Sequence, residues 1–188
     1  FFHPHPANPD SSTSRGLGDV YKRQALTLGY QFGLPIKQMI KAAKTFKGLP
    51  HRLEFITSIN HVDFYNDSKS TNAISTKTAI NSLLEKYSQL VLILGGIAKQ
   101  ENYSELFELL SEKVKTVVLI GDSSKFFSEQ LSVPTLKIAR SMEEAVGLSK
   151  SLAKGGAIVL SPACASFDMF DDFNDRGDQF KHHVNEGS

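Results

Sequence analysis

At 188 residues, with 40% hydrophobic and 22% charged content, the chain has the composition of an ordinary globular protein and room for one full domain plus part of another. A net charge of +1 removes the electrostatic ground for expecting nucleic acid or an anionic membrane as partner. One cysteine, Cys164, excludes an internal disulfide and suits a reducing cytoplasm, and the longest apolar run, Leu90 to Leu94, falls far short of the roughly 20 residues a membrane helix needs.

The first 24 residues differ from everything after them. FFHPHPANPD is rich in Pro and His, and SSTSRGLGDVYKRQ lacks apolar periodicity. Nothing there buries a face, so residues 1–24 are expected to be disordered, and the run from Ser12 to Gln24 resembles a translated assembly scar. No charged segment followed by an apolar one stands at the start, so no signal peptide is expected. From Ala25 helical spacing begins: Ala25, Leu28 and Phe32, then Ile36, Met39, Ile40, Ala43 and Phe46. Gly33 or Pro35 separates two helices, and Gly48-Leu49-Pro50 ends the second. Residues 25–48 thus read as a helical remnant of a preceding domain, and residues 49–188 as the domain proper.

That domain opens with a hairpin: a strand over Leu53–Ile59, a turn at Asn60-His61 and a strand over Val62–Asn66. A helix is predicted from about Asn72 to Lys86. Strands and helices then alternate: strand 90–94, helix 103–112, strand 117–120, helix 123–130, strand 135–138, helix 142–153, strand 157–160, and a helix from about Asp171. The strands are continuous apolar runs, as expected where both faces are covered. The fold expected is α/β: a doubly wound, mostly parallel Rossmann-like sheet with helices on both faces and an N-terminal hairpin.

Two stretches carry the chemistry. Asn66-Asp67-Ser68-Lys69-Ser70-Thr71-Asn72 and Ser161-Pro162-Ala163-Cys164-Ala165-Ser166-Phe167 each follow a strand and precede a helix, where open α/β sheets bind anionic ligands. Ser70 or Thr71 as a plain helix N-cap accounts for the hydroxyls, but not for Lys69, because a cation beside a helix N-terminus is unfavourable without an anion between them. Gly95-Gly96-Ile97-Ala98-Lys99 also follows a strand; a ligand-facing backbone and an ordinary strand-to-helix turn explain it equally. Neither GxxxxGK[ST] nor GxGxxG occurs. Arg52 offers a planar fork for ribose or phosphate, although a solvated hinge charge is the plainer reading. Phe170 and Phe173, three apart, are placed on one helix face. Asp171 and Asp172 read as helix-start residues, since their spacing is not that of a calcium loop. Cys164 reads as a buried inert thiol, and His182-His183 as a solvated helix end rather than a zinc site.

Taken together, Gly48-Leu49-Pro50-His51-Arg52, the Asn66–Asn72 stretch, Leu94-Gly95-Gly96 with Lys99, and SPACASFDMF with Phe173 and Arg176-Gly177 resemble the C-terminal domain of the Mur ligases. Within that family they resemble the branch that adds D-glutamate to UDP-N-acetylmuramoyl-L-alanine in peptidoglycan precursor synthesis. The resemblance implies a reaction in which ATP phosphorylates the carboxylate of UDP-N-acetylmuramoyl-L-alanine and the amine of D-glutamate attacks the acyl phosphate. It implies that Lys69 is catalytic and that Thr71, Lys99, Ser166, Phe167 and Phe173 hold D-glutamate. It further implies that Arg52 and Asp67, with His51 and Asn72 as lesser candidates, hold the nucleotide. ATP and Mg2+ would serve the whole enzyme, with no metal ligands in this chain, which is expected to be inactive alone, monomeric and located in the bacterial cytoplasm. The competing expectations are a standalone binding module for an acidic amino acid or nucleotide, and a nonfunctional truncated frame.

Overall fold

The computed structural model describes residues 17–46 and 48–186, with side chains from residue 24 onward. The disorder expected of residues 1–16 lies outside the described residues. The chain divides into two units, Phe1–Lys47 and Gly48–Ser188. In the first, α1 (Leu17–Gln31) and α2 (Ile36–Thr45) form a helical hairpin. Helix α1 starts at Leu17, ahead of the expected Ala25. Once the apolar turns from Ala25 onward nucleate the helix, each further residue adds one hydrogen bond at little cost, and no proline interrupts 17–24. The two helices approach closely where Gly29 meets Met39, since a Cβ there would lie 2.4 Å from the Met39 sulfur. No residue of α2 is buried, and Tyr30, Phe32, Leu34, Ile36 and Ile40 are exposed.

The second unit carries the sheet. Strands β1 (Glu54–Ile59) and β2 (Val62–Asn66) pair antiparallel through a two-residue turn in which Asn60 and His61 both have positive φ, 51° and 63°. Two successive positive φ values turn the chain with the same hand as the strand twist, and Asn tolerates that region better than most residues. Then follow α3 (Ala73–Leu84), β3 (Leu90–Gly95), α4 (Ser104–Lys113), β4 (Thr116–Ile120), α5 (Ser124–Gln130), β5 (Thr135–Ile138), α6 (Met142–Leu152), β6 (Gly156–Leu160) and α7 (Phe173–Asn185). The strand order is β1-β2-β6-β3-β4-β5, and every pairing beyond the hairpin is parallel. The expected mostly parallel sheet with an N-terminal hairpin is what forms.

Alternate residues of the apolar strands feed two separate cores. Leu90, Leu92, Leu94, Val117, Leu119 and Val159 pack with Ile80 and Leu83 of α3, Leu106 and Leu110 of α4 and Phe127 of α5. Val91, Ile93, Val118, Ile120, Ile158 and Leu160 face the other way, onto Met142 and Val146 of α6 and Phe180 and Val184 of α7. Helices thus cover both faces, which explains why the strands read as unbroken apolar runs.

This topology places the loops. Asn66, Leu160 and Ile93 stand level on β2, β6 and β3. From that edge the chain leaves β2 toward α3 on one face and leaves β6 toward α7 on the other. Loops diverging from neighbouring parallel strands open the crevice in which such sheets bind ligands.

Helix α7 begins at Phe173 with Asp172 as N-cap, its carboxylate accepting from the Asn174 and Asp175 amides. Phe170 therefore precedes the helix and is buried in the α6/α7 core, so it does not share a helix face with Phe173 as the three-residue spacing suggested. The cap that ends the loop as Asp172 sets the helix start, not the aromatic spacing.

Candidate functional site

Three loops build the site: 66–72 after β2, 95–103 after β3 and 161–172 after β6. The second and third lock onto each other through backbone. Ile97 and Ala165 exchange both hydrogen bonds of a bridge, at 2.9 and 3.1 Å, and the Gly95 amide donates to the Pro162 carbonyl at 3.0 Å. This contact requires the glycine pair. Gly95 and Gly96 have φ of 127° and 132°, and a Cβ on Gly96 would lie 2.1 Å from the Ala165 carbonyl oxygen. The Lys99 amide donates to the Tyr103 hydroxyl at 3.0 Å, and the Tyr103 ring is buried among Phe107, Phe126 and Phe127. An aromatic core thus holds the loop that presents Lys99.

On this frame the exposed candidates converge in pairs. The Lys99 ammonium donates to the Thr71 hydroxyl at 3.3 Å, joining the β3 loop to the β2 loop. The Lys69 ammonium sits 4.8 Å from the centre of the Phe173 ring, a cation–π distance that joins the β2 loop to the start of α7. Phe167 projects from the β6 loop and is 70% exposed. Ser166 lies in the same loop but is buried, and its carbonyl accepts from the Phe170 amide.

The nucleotide candidates occupy a different environment. Asp67 is 1% exposed, with Oδ1 accepting from the Leu53 amide at 3.0 Å and Oδ2 from the Ser161 hydroxyl at 2.7 Å. Burial pushes its pKa up to about 6, against the pull of hydrogen bonds from Ser70 and Ser161. Asp67 thereby holds the segment 51–53, in which His51 and Leu53 have positive φ. The Lys69 amide closes the same segment by donating to the His51 carbonyl. Arg52, between them, is exposed and lies close enough for its charge to favour the Asp67 carboxylate. His51 is buried, its Nδ1 2.9 Å from the Asn66 amide nitrogen, and its pKa is lowered first by that burial and then by Lys181. Asn72 is the N-cap of α3, accepting from the Ser75 amide at 2.9 Å. The expected caps, Ser70 and Thr71, lie before the helix: the Asn72 side chain has the reach and the extended backbone a cap requires.

The helix N-termini expected to face a bound anion carry carboxylates of the protein itself. The α3 N-terminus receives Glu101, whose carboxylate accepts from the Ala73 amide at 3.3 Å, and the α7 N-terminus receives Asp172. Asp172 is the helix-start residue the sequence marks, while Glu101 carries no such signal. Two further residues stood inside the motif stretches without a role of their own. Asp168 accepts from the Asp122 amide at 2.9 Å while its other oxygen is buried without a partner. Arg176 is fully buried beneath the β2 and β6 loops. Its signal was legible: Arg176, Phe180 and Val184 recur at four-residue spacing on the inward face of α7, and an arginine on such a face needs internal acceptors.

Asp67 has both oxygens committed to protein donors, while Glu101 Oε1 and Asp168 Oδ1 are buried without a hydrogen-bond partner. His182, His183 and Glu186 bring ligand atoms within 4.8 Å of one another at the far end of α7, with the His182 and His183 ring nitrogens 3.1 and 3.4 Å from the Glu186 carboxylate. Cys164 is fully buried, and burial pushes its thiol up to about 11, which keeps it protonated and unreactive.

Comparison with known proteins gives one consistent answer. The family described as Mur ligase, glutamate ligase domain matches residues 51–164. The UDP-N-acetylmuramoylalanine–D-glutamate ligase of Marinobacter nauticus is 44% identical over 160 residues, 84% of this chain and 36% of that protein. The ligase of the same name from Cytophaga hutchinsonii is 45% identical over 163 residues, 85% of this chain and 36% of that protein. Among solved structures, the UDP-N-acetylmuramate–alanine ligase MurC of Thermotoga maritima superposes with a TM-score of 0.63 at 14% identity, covering 92% of this chain and 39% of that one. The MurF ligase of Thermotoga maritima, solved with ADP, gives 0.59 at 18%, covering 87% of this chain and 37% of that one. The chain spans about 36% of the length of the curated relatives it matches. It belongs to the Mur ligase family, in its glutamate ligase domain.

Proposed function

We propose that the sheet unit of this Mur ligase chain binds D-glutamate and one edge of ATP, as the C-terminal part of a ligase that adds D-glutamate to UDP-N-acetylmuramoyl-L-alanine in the bacterial cytoplasm. The observation that carries the reading is the Lys99–Thr71 contact at 3.3 Å, which aims an ammonium and a hydroxyl from two loops at one point. A carboxylate set between them accepts from both, and a second carboxylate finds the β6 loop, with Ser166 beneath it and Phe167 and Phe173 as apolar walls. Fixing both carboxylates orients the amine, and orientation of a nucleophile is a large share of amide-bond formation rates.

Lys69 is the catalytic candidate. Its ammonium is exposed and steadied by the Phe173 ring, so it can meet negative charge developing on a transferred phosphoryl group. Arg52 reaches the nucleotide, while buried Asp67, with His51, acts on it indirectly by holding the segment that carries Arg52. Asn72 serves the site by starting α3 where Thr71 must stand. Mg2+ and the remainder of ATP and UDP-N-acetylmuramoyl-L-alanine would be held by parts of the ligase outside this chain, which acts as a monomer and does not ligate by itself.

The test is a graft of residues 49–188 onto the preceding part of the Marinobacter nauticus relative. Phosphate release is followed with D-glutamate, L-glutamate, L-alanine and L-lysine. Release with D-glutamate alone is expected. A folded graft silent with all of them favours a standalone binding module. Phosphate release by the 188-residue chain itself, lost in Lys99→Ala, overturns the claim that it is incomplete.

A further inference from the structure

Arg176 is the largest of the fully buried side chains. Its Nε donates to the Ser68 hydroxyl at 2.9 Å, Nη2 to the Ser68 carbonyl at 2.8 Å, and Nη1 to the Cys164 carbonyl at 3.1 Å. All three acceptors are neutral. Burial lowers its pKa to about 10, so it enters the interior as a cation at neutral pH. The Asp168 charge favours the guanidinium, but no carboxylate is hydrogen-bonded to it, so its burial is costly and an apolar side chain would fill the space at less cost.

The acceptors show what the cost secures. Ser68 precedes Lys69 and stands three residues before Thr71; Cys164 stands two residues before Ser166 and three before Phe167. The Ser68 hydroxyl also donates to the Phe173 carbonyl at 2.7 Å, which ties in the start of α7. One rigid fork therefore spans the two loops that diverge from β2 and β6. Guanidinium geometry is planar and fixed, so it sets a separation as well as an attraction. A lysine at this place carries the same charge but no fork.

We propose that Arg176 is a positioning residue: it clamps the Lys69–Thr71 loop to the Ser166–Phe167 loop at the separation D-glutamate requires. This rests on the D-glutamate reading above for its ligand, but not for the clamp itself.

The test uses the full 188-residue chain, in which Cys164 is the single cysteine and so a unique reporter on the β6 loop. Labelling of the Cys164 thiol by an aromatic disulfide reagent is measured in native buffer for the wild type, Arg176→Lys and Arg176→Met. D- and L-glutamate are titrated calorimetrically under conditions where circular dichroism shows each variant folded. In both variants labelling is expected to accelerate about tenfold or more with little dependence on added urea, the mark of a local opening. D-glutamate affinity is expected to fall about tenfold, the scale of lost hydrogen bonds to a charged group, with L-glutamate changed less. A general loss of stability would not alter the ratio of the two enantiomers. Where Arg176→Met does not fold, Ser68→Ala, which removes one acceptor, is expected to give intermediate labelling. Wild-type labelling and affinity in Arg176→Lys overturn the clamp, since charge alone then suffices. Faster labelling in the variants with no glutamate binding by the wild type removes the D-glutamate reading and leaves the clamp standing.

Discussion

The floor and the rim of the site are built on opposite terms. His51, Asp67, Ser68, Ser166 and Arg176 form the floor, all buried and bound to one another, to the Asn66 side chain or to backbone. Lys69, Lys99 and Phe167 form the rim, all exposed, with half-buried Thr71 beside them. Polar groups of the floor have replaced water with protein partners, so losing one leaves others unsatisfied and costs stability. Rim groups remain in water and can exchange it for a ligand. Chemical type does not separate the two sets, since each contains hydroxyls and cations. Burial does, and it divides residues that position from residues that bind.

Substitutions test that division. The largest effect is expected where floor packing is tightest. A Cβ on Gly177 would lie 2.2 Å from His51 Nδ1 and 2.9 Å from the Asn66 amide nitrogen. Gly177→Ala should therefore cost about 3 kcal/mol or more by overpacking, measured by urea unfolding. A cost below about 1 kcal/mol would mean the floor is soft and the comparison fails.

Asp67 comes next, through pH. Its folded pKa of about 6 stands above the ordinary value of 3.8 because burial opposes the charge. Below pH 4 the carboxyl is protonated in both states and its contribution is fully present. As pH rises from about 4 to 6 the unfolded carboxyl ionises while the buried one keeps its proton, and up to about 3 kcal/mol is lost by the time pH passes 6. Asp67→Asn cannot titrate, so the stability of the wild type relative to this variant should fall between pH 4 and 7 and then level. A constant difference across that range would place Asp67 in water rather than in the floor.

A smaller effect is expected between floor and rim. Asn72→Ala removes the α3 cap and should cost about 1 kcal/mol, the usual worth of such a cap. An unchanged melting temperature would show that Glu101 alone satisfies that helix end. Smallest of all, Lys99→Ala should leave stability within about 0.5 kcal/mol, as exposed surface substitutions do. Its D-glutamate binding in the graft should fall about tenfold, as expected on losing a charge-assisted hydrogen bond. Comparable losses of stability in Lys99→Ala and Gly177→Ala would erase the distinction.

Much of this was legible in the sequence. The order and type of the elements followed from apolar runs of strand length alternating with helical periodicity. The Asn60-His61 turn and the strand over Val62–Asn66 also emerged in place. Local rules determine these features, because strand and helix periodicity and turn chemistry act over a few residues. The 66–72 and 161–172 loops stood out on the same basis, as strand-to-helix stretches rich in small and hydroxyl residues, whereas Gly95-Gly96 read equally as an ordinary turn.

Tertiary structure decided the rest. Insertion of β6 between β2 and β3 sets the 66–72 and 161–172 loops side by side, although about ninety residues of chain separate them. It made Asp67 a buried anchor rather than a ligand-facing carboxylate, and assigned the α3 cap to Asn72 and not to Ser70 or Thr71. It also placed Glu101 at the α3 N-terminus and buried Arg176 between two loops it follows in sequence. Local sequence cannot specify such partners. Desolvation and hydrogen-bond satisfaction depend on what surrounds a group once the sheet has closed, and that surrounding comes from residues far along the chain.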